Sequence, residues 1–183
     1  MLPTSTPQDS PVMGIQKILV ALDYPSENTA IFDQALNFAE KFQAELTIFH
    51  CIQPQPVVMP EIGALAAYGG MIDTTAIAQQ EEQFQRHVDN VTNWLQSLAD
   101  KAHRRGIPHT TTTHQIGDPN QAICAIAKQN HIHLIILGRR GLSGLGEIFL
   151  GSVSNYVLHH APCSVLIVQP SPMPEVSVTN PTT

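Results

Sequence analysis

The 183-residue sequence lacks the features that mark several protein classes. It has only three cysteines, Cys51, Cys124 and Cys163, widely separated, odd in number and without a CxxC pair. That argues against a disulfide framework and for a reducing compartment. Each cysteine lies in an apolar run, where a thiol serves as a small buried hydrophobe. Charged residues make up 13% of the chain, the net charge is -6, and the basic residues are scattered. A surface that tracks nucleic-acid phosphates needs a basic stripe, so nucleic acid is not an expected partner. No apolar stretch approaches the roughly 20 residues that cross a bilayer, so no membrane is expected either. Residues 1–14 (MLPTSTPQDSPVMG) lack the basic-then-apolar pattern of a signal peptide. These absences point to a cytoplasmic protein. Histidine is plentiful, at nine residues, yet no HExxH or Cys/His ligand set occurs. No metal site held by the protein is expected, although His131 and His133 could share one face at a strand entrance. The pair His159 and His160 falls where a helix C-terminus favours positive charge.

What is present is an alternation. Residues 1–14 and 170–183 are rich in Pro, Ser and Thr and read as disordered tails around one domain, 15–169. Within it, residues 17–22, 45–52, 109–116, 133–137 and 163–168 are short strand-like runs, mostly apolar, with the third rich in Thr. Helical periodicity fills the intervals. Ser26 is a candidate cap for a first helix carrying Ile31, Ala35, Phe38, Ala39 and Phe42. A long second helix places Ile77, Phe84, Val88, Val91, Leu95, Leu98 and Ala102 on one core stripe and stops at Gly106. Asp118 and Pro119 open a third helix, with Asp118 read as its cap, and Ile126 and Ala127 on its apolar face. A fourth occupies 151–160 and breaks at Ala161 and Pro162. Residues 53–75, with three prolines and the Gly69–Gly70 pair, read as a long irregular loop. The β-α-β order predicts a doubly wound α/β domain, a five-stranded mostly parallel sheet with helices on both faces. Ligands of such sheets sit beyond the strand C-termini where the winding reverses, here expected between the first and fourth strands. Asp23 and Gly138 stand at those two strand ends.

Residues 137–157 (LGRRGLSGLGEIFLGSVSNYV) hold five glycines in their first fifteen positions and run into a helix. A helix start offers unpaired N–H groups and the positive end of its dipole, which together suit a phosphate. The amides of Ser152, Val153 and Ser154 are candidate donors with two hydroxyls beside them, and Gly138 and Gly141 let the chain approach closely. Arg139 and Arg140 add two positive charges. A glycine-rich turn that binds nothing is the alternative. The Walker pattern is absent, since no lysine occurs from 129 to 183, and residues 141–146 read GxxGxG rather than GxGxxG. Gly144 and Gly146 read as spacers.

The spacing Gly138-x2-Gly141-x9-Gly151-Ser152, followed by Val153 and Ser154, resembles the ATP-binding branch of the universal stress protein family. The resemblance runs from Lys17 to Val168 and includes Asp23, the His50–Cys51 strand end and the turn at Gly117, Asp118 and Pro119. It implies a Rossmann-like fold of the adenine nucleotide alpha hydrolase type. Asp23 and the backbone at Cys51 would border adenine and ribose, and Leu137 and Gly138 would lie along the ribose. Gly141, Gly151, Ser152, Val153 and Ser154, with Arg140 beside them, would hold the phosphates of ATP or AMP. A Mg2+ or Mn2+ would ride on the phosphate oxygens. No catalytic residue is assigned, since Asp23 is the only carboxylate at that end of the two central strands and suits ribose or metal better than water activation. A stress or energy-state regulator acting by binding is the expected function. A slow ATPase or phosphotransferase on the same site, or an interaction module without nucleotide, are the alternatives. The resemblance also implies a homodimer through 163–168, which would cover an exposed apolar edge.

Overall fold

The computed structural model describes residues 14–25, 29–54, 74–139 and 150–169. Residues 1–13 and 170–183 of the predicted tails, the cap at Ser26, residues 140–149 with Arg140, Gly141, Gly144 and Gly146, and residues 55–73 of the predicted loop lie outside the described residues. Nine elements alternate: β1 (Lys17–Ala21), α1 (Thr29–Phe42), β2 (Glu45–Ile52), α2 (Thr74–Arg104), β3 (Thr110–Ile116), α3 (Pro119–Gln129), β4 (Leu134–Gly138), α4 (Ser152–His160) and β5 (Ser164–Val168). The strands form one sheet in the order β3-β2-β1-β4-β5, every neighbouring pair parallel. The chain moves outward from β1 to β3, then crosses back to β4 on the far side of β1. The winding therefore reverses between β1 and β4, as the sequence predicts.

The apolar strands are buried because both sheet faces are covered. Ile18, Val20, Leu46, Ile48 and Ile136 pack with α1 and α2 in one core layer. Leu19, Phe49, Ile135 and Leu137 pack with α3 and α4 in the other. Alternate residues of a strand point to opposite faces, so each strand feeds both layers.

Local chemistry sets the element ends. The Asp118 side chain caps α3 by accepting from the Asn120 N–H at 3.0 Å, with Pro119 at the first turn. Beyond α2, Gly106 has a φ of +86°. Its N–H donates to the His103 carbonyl at 2.9 Å, and the Ile107 N–H donates to that of Ala102 at 3.1 Å. That paired closure needs a left-handed residue, which glycine supplies at least cost.

Two readings are corrected. The helix α2 begins at Thr74, inside the predicted loop 53–75, and Ile77 is 51% exposed rather than part of the core stripe. The buried stripe starts at Val91 and continues through Leu95, Leu98, Ala99 and Ala102. His133 is a structural residue: its Nδ1 accepts the N–H groups of both Gln16 and Lys17 at 3.2 Å, anchoring the start of β1. An Nδ1 that accepts two hydrogen bonds has no lone pair to offer a metal.

Candidate functional site

At the winding reversal the C-terminal ends of β1, β2 and β4 meet the start of α4 around a cleft of about 700 Å³. Asp23, Cys51, Leu137, Gly138, Gly151, Ser152, Val153 and Ser154 all line it. Eight residues singled out by the glycine spacing or by the family resemblance thus line one concavity. Arg139 lines it too, its N–H donating to the Val168 carbonyl at 2.9 Å.

The α4 side of the cleft is a helix start without a side-chain cap. Gly151 is the N-cap, with φ -58° and ψ 153°, and carries no side chain to accept from the helix. Its carbonyl accepts the Asn155 N–H at 2.9 Å, the first bond of the helix. The N–H groups of Ser152, Val153 and Ser154 precede that bond and have no acceptor within the helix. The Ser152 side chain is exposed at the mouth. That of Ser154 is buried, and its Oγ donates to the Gly138 carbonyl at 2.8 Å. This corrects the expectation of two available hydroxyls, because Ser154 has its hydrogen committed to the β4 end. A Cβ built on Gly138 would meet the Cδ1 tip of Ile31, so a side chain there requires Ile31 to shift.

On the opposite side, β1 and β2 end together. The Leu22 N–H donates to the Phe49 carbonyl at 3.0 Å. His50 Nδ1 bonds the Leu22 carbonyl at 2.8 Å. A carbonyl only accepts, so Nδ1 carries the hydrogen. Burial holds the His50 imidazole below its ordinary value, against the Leu22 hydrogen bond and the nearby Asp23, which favour the cation. Cys51 Sγ donates to the Gly117 carbonyl at 3.4 Å, and burial pushes the thiol up, with Asp118 adding to the effect. The thiol is therefore neutral and tied to the β3–α3 turn.

An aromatic wall escaped the sequence reading. The Tyr24 ring meets those of His87, Trp94 and His50 edge-on at centroid distances of 5.6, 5.3 and 6.3 Å. His50 and Trp94 stand 5.9 Å apart and perpendicular. Tyr24, His50 and His87 line the cleft. One signal was readable: His87 and Trp94 are seven residues apart on α2, two turns along one face. Their partners Tyr24 and His50 come from other elements, and spacing does not reveal that. Among the described residues, no group of three or more His, Cys, Asp or Glu could hold a metal ion, and no helix is long and apolar enough to cross a membrane.

A parallel sheet in this strand order, with a cleft at its reversal and a bare helix start on it, defines a Rossmann-like α/β protein. The sequence model of the universal stress protein family matches residues 14–169, and the chain belongs to that family. It is 36% identical over 157 residues to the universal stress protein Sll1388 of Synechocystis, covering 86% of this chain and 99% of that one. The structure of UspA from Lactobacillus plantarum is similar at a TM-score of 0.54 and 28% identity, over 85% of this chain and 98% of that one. A universal stress protein solved in complex with cAMP is similar in fold, with a TM-score of 0.55 at 24% identity, over 84% of this chain and 96% of its own.

Proposed function

We propose that the cleft binds an adenine nucleotide, ATP or AMP, and that the chain acts as a cytoplasmic stress or energy-state regulator through binding rather than fast turnover. The observation that carries this reading is the uncapped start of α4: Ser152, Val153 and Ser154 line the cleft across from Asp23 and Cys51. Backbone donors at a helix start suit phosphate without the desolvation cost of a buried cation. The phosphates sit at Gly151, Ser152, Val153 and Ser154, with Gly141 and Arg140 contributing from the preceding loop and Mg2+ or Mn2+ on the phosphate oxygens. Leu137 and Gly138 lie along the ribose, and Gly138 presents no side chain to it. Asp23 and the Cys51 backbone border ribose and base, facing a wall whose aromatic rings suit a planar heterocycle. The family relationship and the cAMP-bound neighbour agree with this reading.

A second copy pairs along residues 163–168. β5 is an edge strand whose Val165, Leu166 and Ile167 are only half-buried, and such an edge gains from a partner. The three free thiols fit a reducing compartment.

The test is direct. Purified protein is denatured, the supernatant is chromatographed for released nucleotide, and ATP is titrated calorimetrically into the refolded or ligand-stripped chain. Bound nucleotide or a measurable heat supports the reading; neither one sinks it. The double variant G141V/G151V is expected to lose binding while keeping its fold. Steady phosphate release at an ordinary enzymatic rate would replace the regulator with a hydrolase.

A further inference from the structure

Leu22 is the last residue before Asp23 and Tyr24 enter the cleft, and it is fixed from both of its peptide groups. Its N–H is held by the Phe49 carbonyl and its carbonyl by the imidazole of the next residue, His50. β1 ends at Ala21, so both bonds extend the β1–β2 connection past the regular strand. One of them comes from a side chain. His50 is 8% exposed and is itself held by ring contacts to Tyr24 and Trp94, so its donor has little freedom to swing away. Its strand neighbour in register on β3 is His114.

We infer that His50 is a positioning residue for the nucleoside end of the ligand: its Nδ1–H fixes the Leu22 carbonyl and thereby sets where Asp23 and Tyr24 stand, while leaving the phosphate end at α4 untouched. The inference rests on the nucleotide reading of the cleft and adds the residue that aligns one half of it. The charged and titratable groups around the ring are Asp23 and Tyr24 from the β1 end, His87 from α2 and His114 from β3. The positioning bond survives protonation, because Nδ1 carries a hydrogen in both the neutral and the cationic ring.

Two substitutions separate positioning from bulk. His50→Leu substitutes an apolar side chain of similar size and removes the donor. His50→Asn keeps an amide nitrogen the same number of bonds from the backbone as Nδ1, able to donate to the Leu22 carbonyl. The full chain is titrated with ATP and, separately, with inorganic tripolyphosphate. H50L is expected to weaken ATP by roughly tenfold, the scale of one lost hydrogen bond with its consequences, and to leave tripolyphosphate unchanged. H50N is expected to restore most of the ATP affinity. A loss shared equally by ATP and tripolyphosphate, an H50L that binds ATP like wild type, or an H50N no better than H50L overturns the role. Should H50L fail to fold, nitrogen-detected NMR of the wild-type imidazole decides: the ring must be the Nδ1–H tautomer, and ATP but not tripolyphosphate must shift its signals. Wild type that binds neither ligand defeats the nucleotide reading, and the role of His50 with it. Wild type that binds beside an unaffected variant defeats His50 alone.

Discussion

Replacing Gly151 with aspartate should make the protein more stable and a worse binder at once. The φ of -58° and ψ of 153° at Gly151 are open to any residue and are usual for an N-cap. Aspartate there accepts from the N–H of Val153 or Ser154 and places its charge at the positive end of α4. Exchanging glycine for a good cap gains a few tenths of a kcal/mol, and the dipole adds about 0.3–1 kcal/mol. Near 1 kcal/mol in total, that raises the melting temperature by about 2–4 °C in a domain of this size. For a nucleotide the same carboxylate is an obstacle. It occupies a donor and sets a negative charge beside the phosphates, where unit charges 4 Å apart repel by about 4 kcal/mol at an effective dielectric of 20. Solvent at the open mouth and the divalent cation reduce this; half of it, about 2 kcal/mol, still weakens ATP roughly thirtyfold. Gly151→Ser, a neutral cap, is the control and should gain stability with a much smaller loss of affinity. Differential scanning calorimetry and isothermal titration of both variants give the two numbers. An aspartate variant that binds ATP like wild type, or that melts lower, refutes the view that bare amides of α4 hold the anion.

The remaining tests concern other groups. Burial disfavours the His50 cation in the folded state, so the unfolded chain takes up that proton first. Stability from this group is complete above its ordinary value of 6.5 and is lost as pH falls below it toward the lowered folded value. Urea unfolding between pH 5 and pH 8 should show that slope, and His50→Asn should remove part of it; equal slopes refute the assignment. Ser154→Ala strips the hydroxyl from the Gly138 carbonyl and should cost about 1–3 kcal/mol in urea, whereas Ser152→Ala should cost little stability and lower ATP affinity. Equal destabilisation by the two would contradict their different burial. Burial raises the Cys51, Cys124 and Cys163 thiols, so all three should react with a thiol reagent at pH 8 more slowly than a free thiol. Cys51→Ala should leave ATP affinity unchanged if, as proposed, only its backbone meets the ligand; a large loss would assign the sulfur a direct role.

The parallel sheet and the meeting of its first and fourth strands at the cleft were legible in the sequence because buried parallel strands leave compact apolar runs, and right-handed crossovers leave few ways to arrange them. The α4 end of the site was legible for a related reason. Gly151, Ser152, Val153 and Ser154 are contiguous, and a local backbone feature is written in local sequence. The other half was legible only at Asp23 and Cys51, and its aromatic wall was not. Tyr24, His50, His87 and Trp94 come from three elements, and nothing in their separate neighbourhoods says that their rings meet. Ile77 continues the helical period of α2 faithfully, but periodicity reports a face and not whether the sheet reaches that far. Ser154 resembled a free donor because its partner, the Gly138 carbonyl, lies 16 residues away on another element.

That reach has its own consequence. At 31 residues α2 is about 46 Å long, whereas strands of five to eight residues extend about 17–27 Å. Its C-terminal half is clamped through Val91, Leu95, Leu98 and Ala102, while Ile77 is exposed and Phe84 and Val88 are only partly covered. Burial is therefore graded along its axis, and amide exchange should be slow at the buried end and faster toward Thr74. His87, on the rim of the cleft, stands near the boundary between the two regimes. A ligand that touches it would add contacts where the sheet supplies few, and occupancy of the cleft would then be recorded as the length of α2 that stays wound.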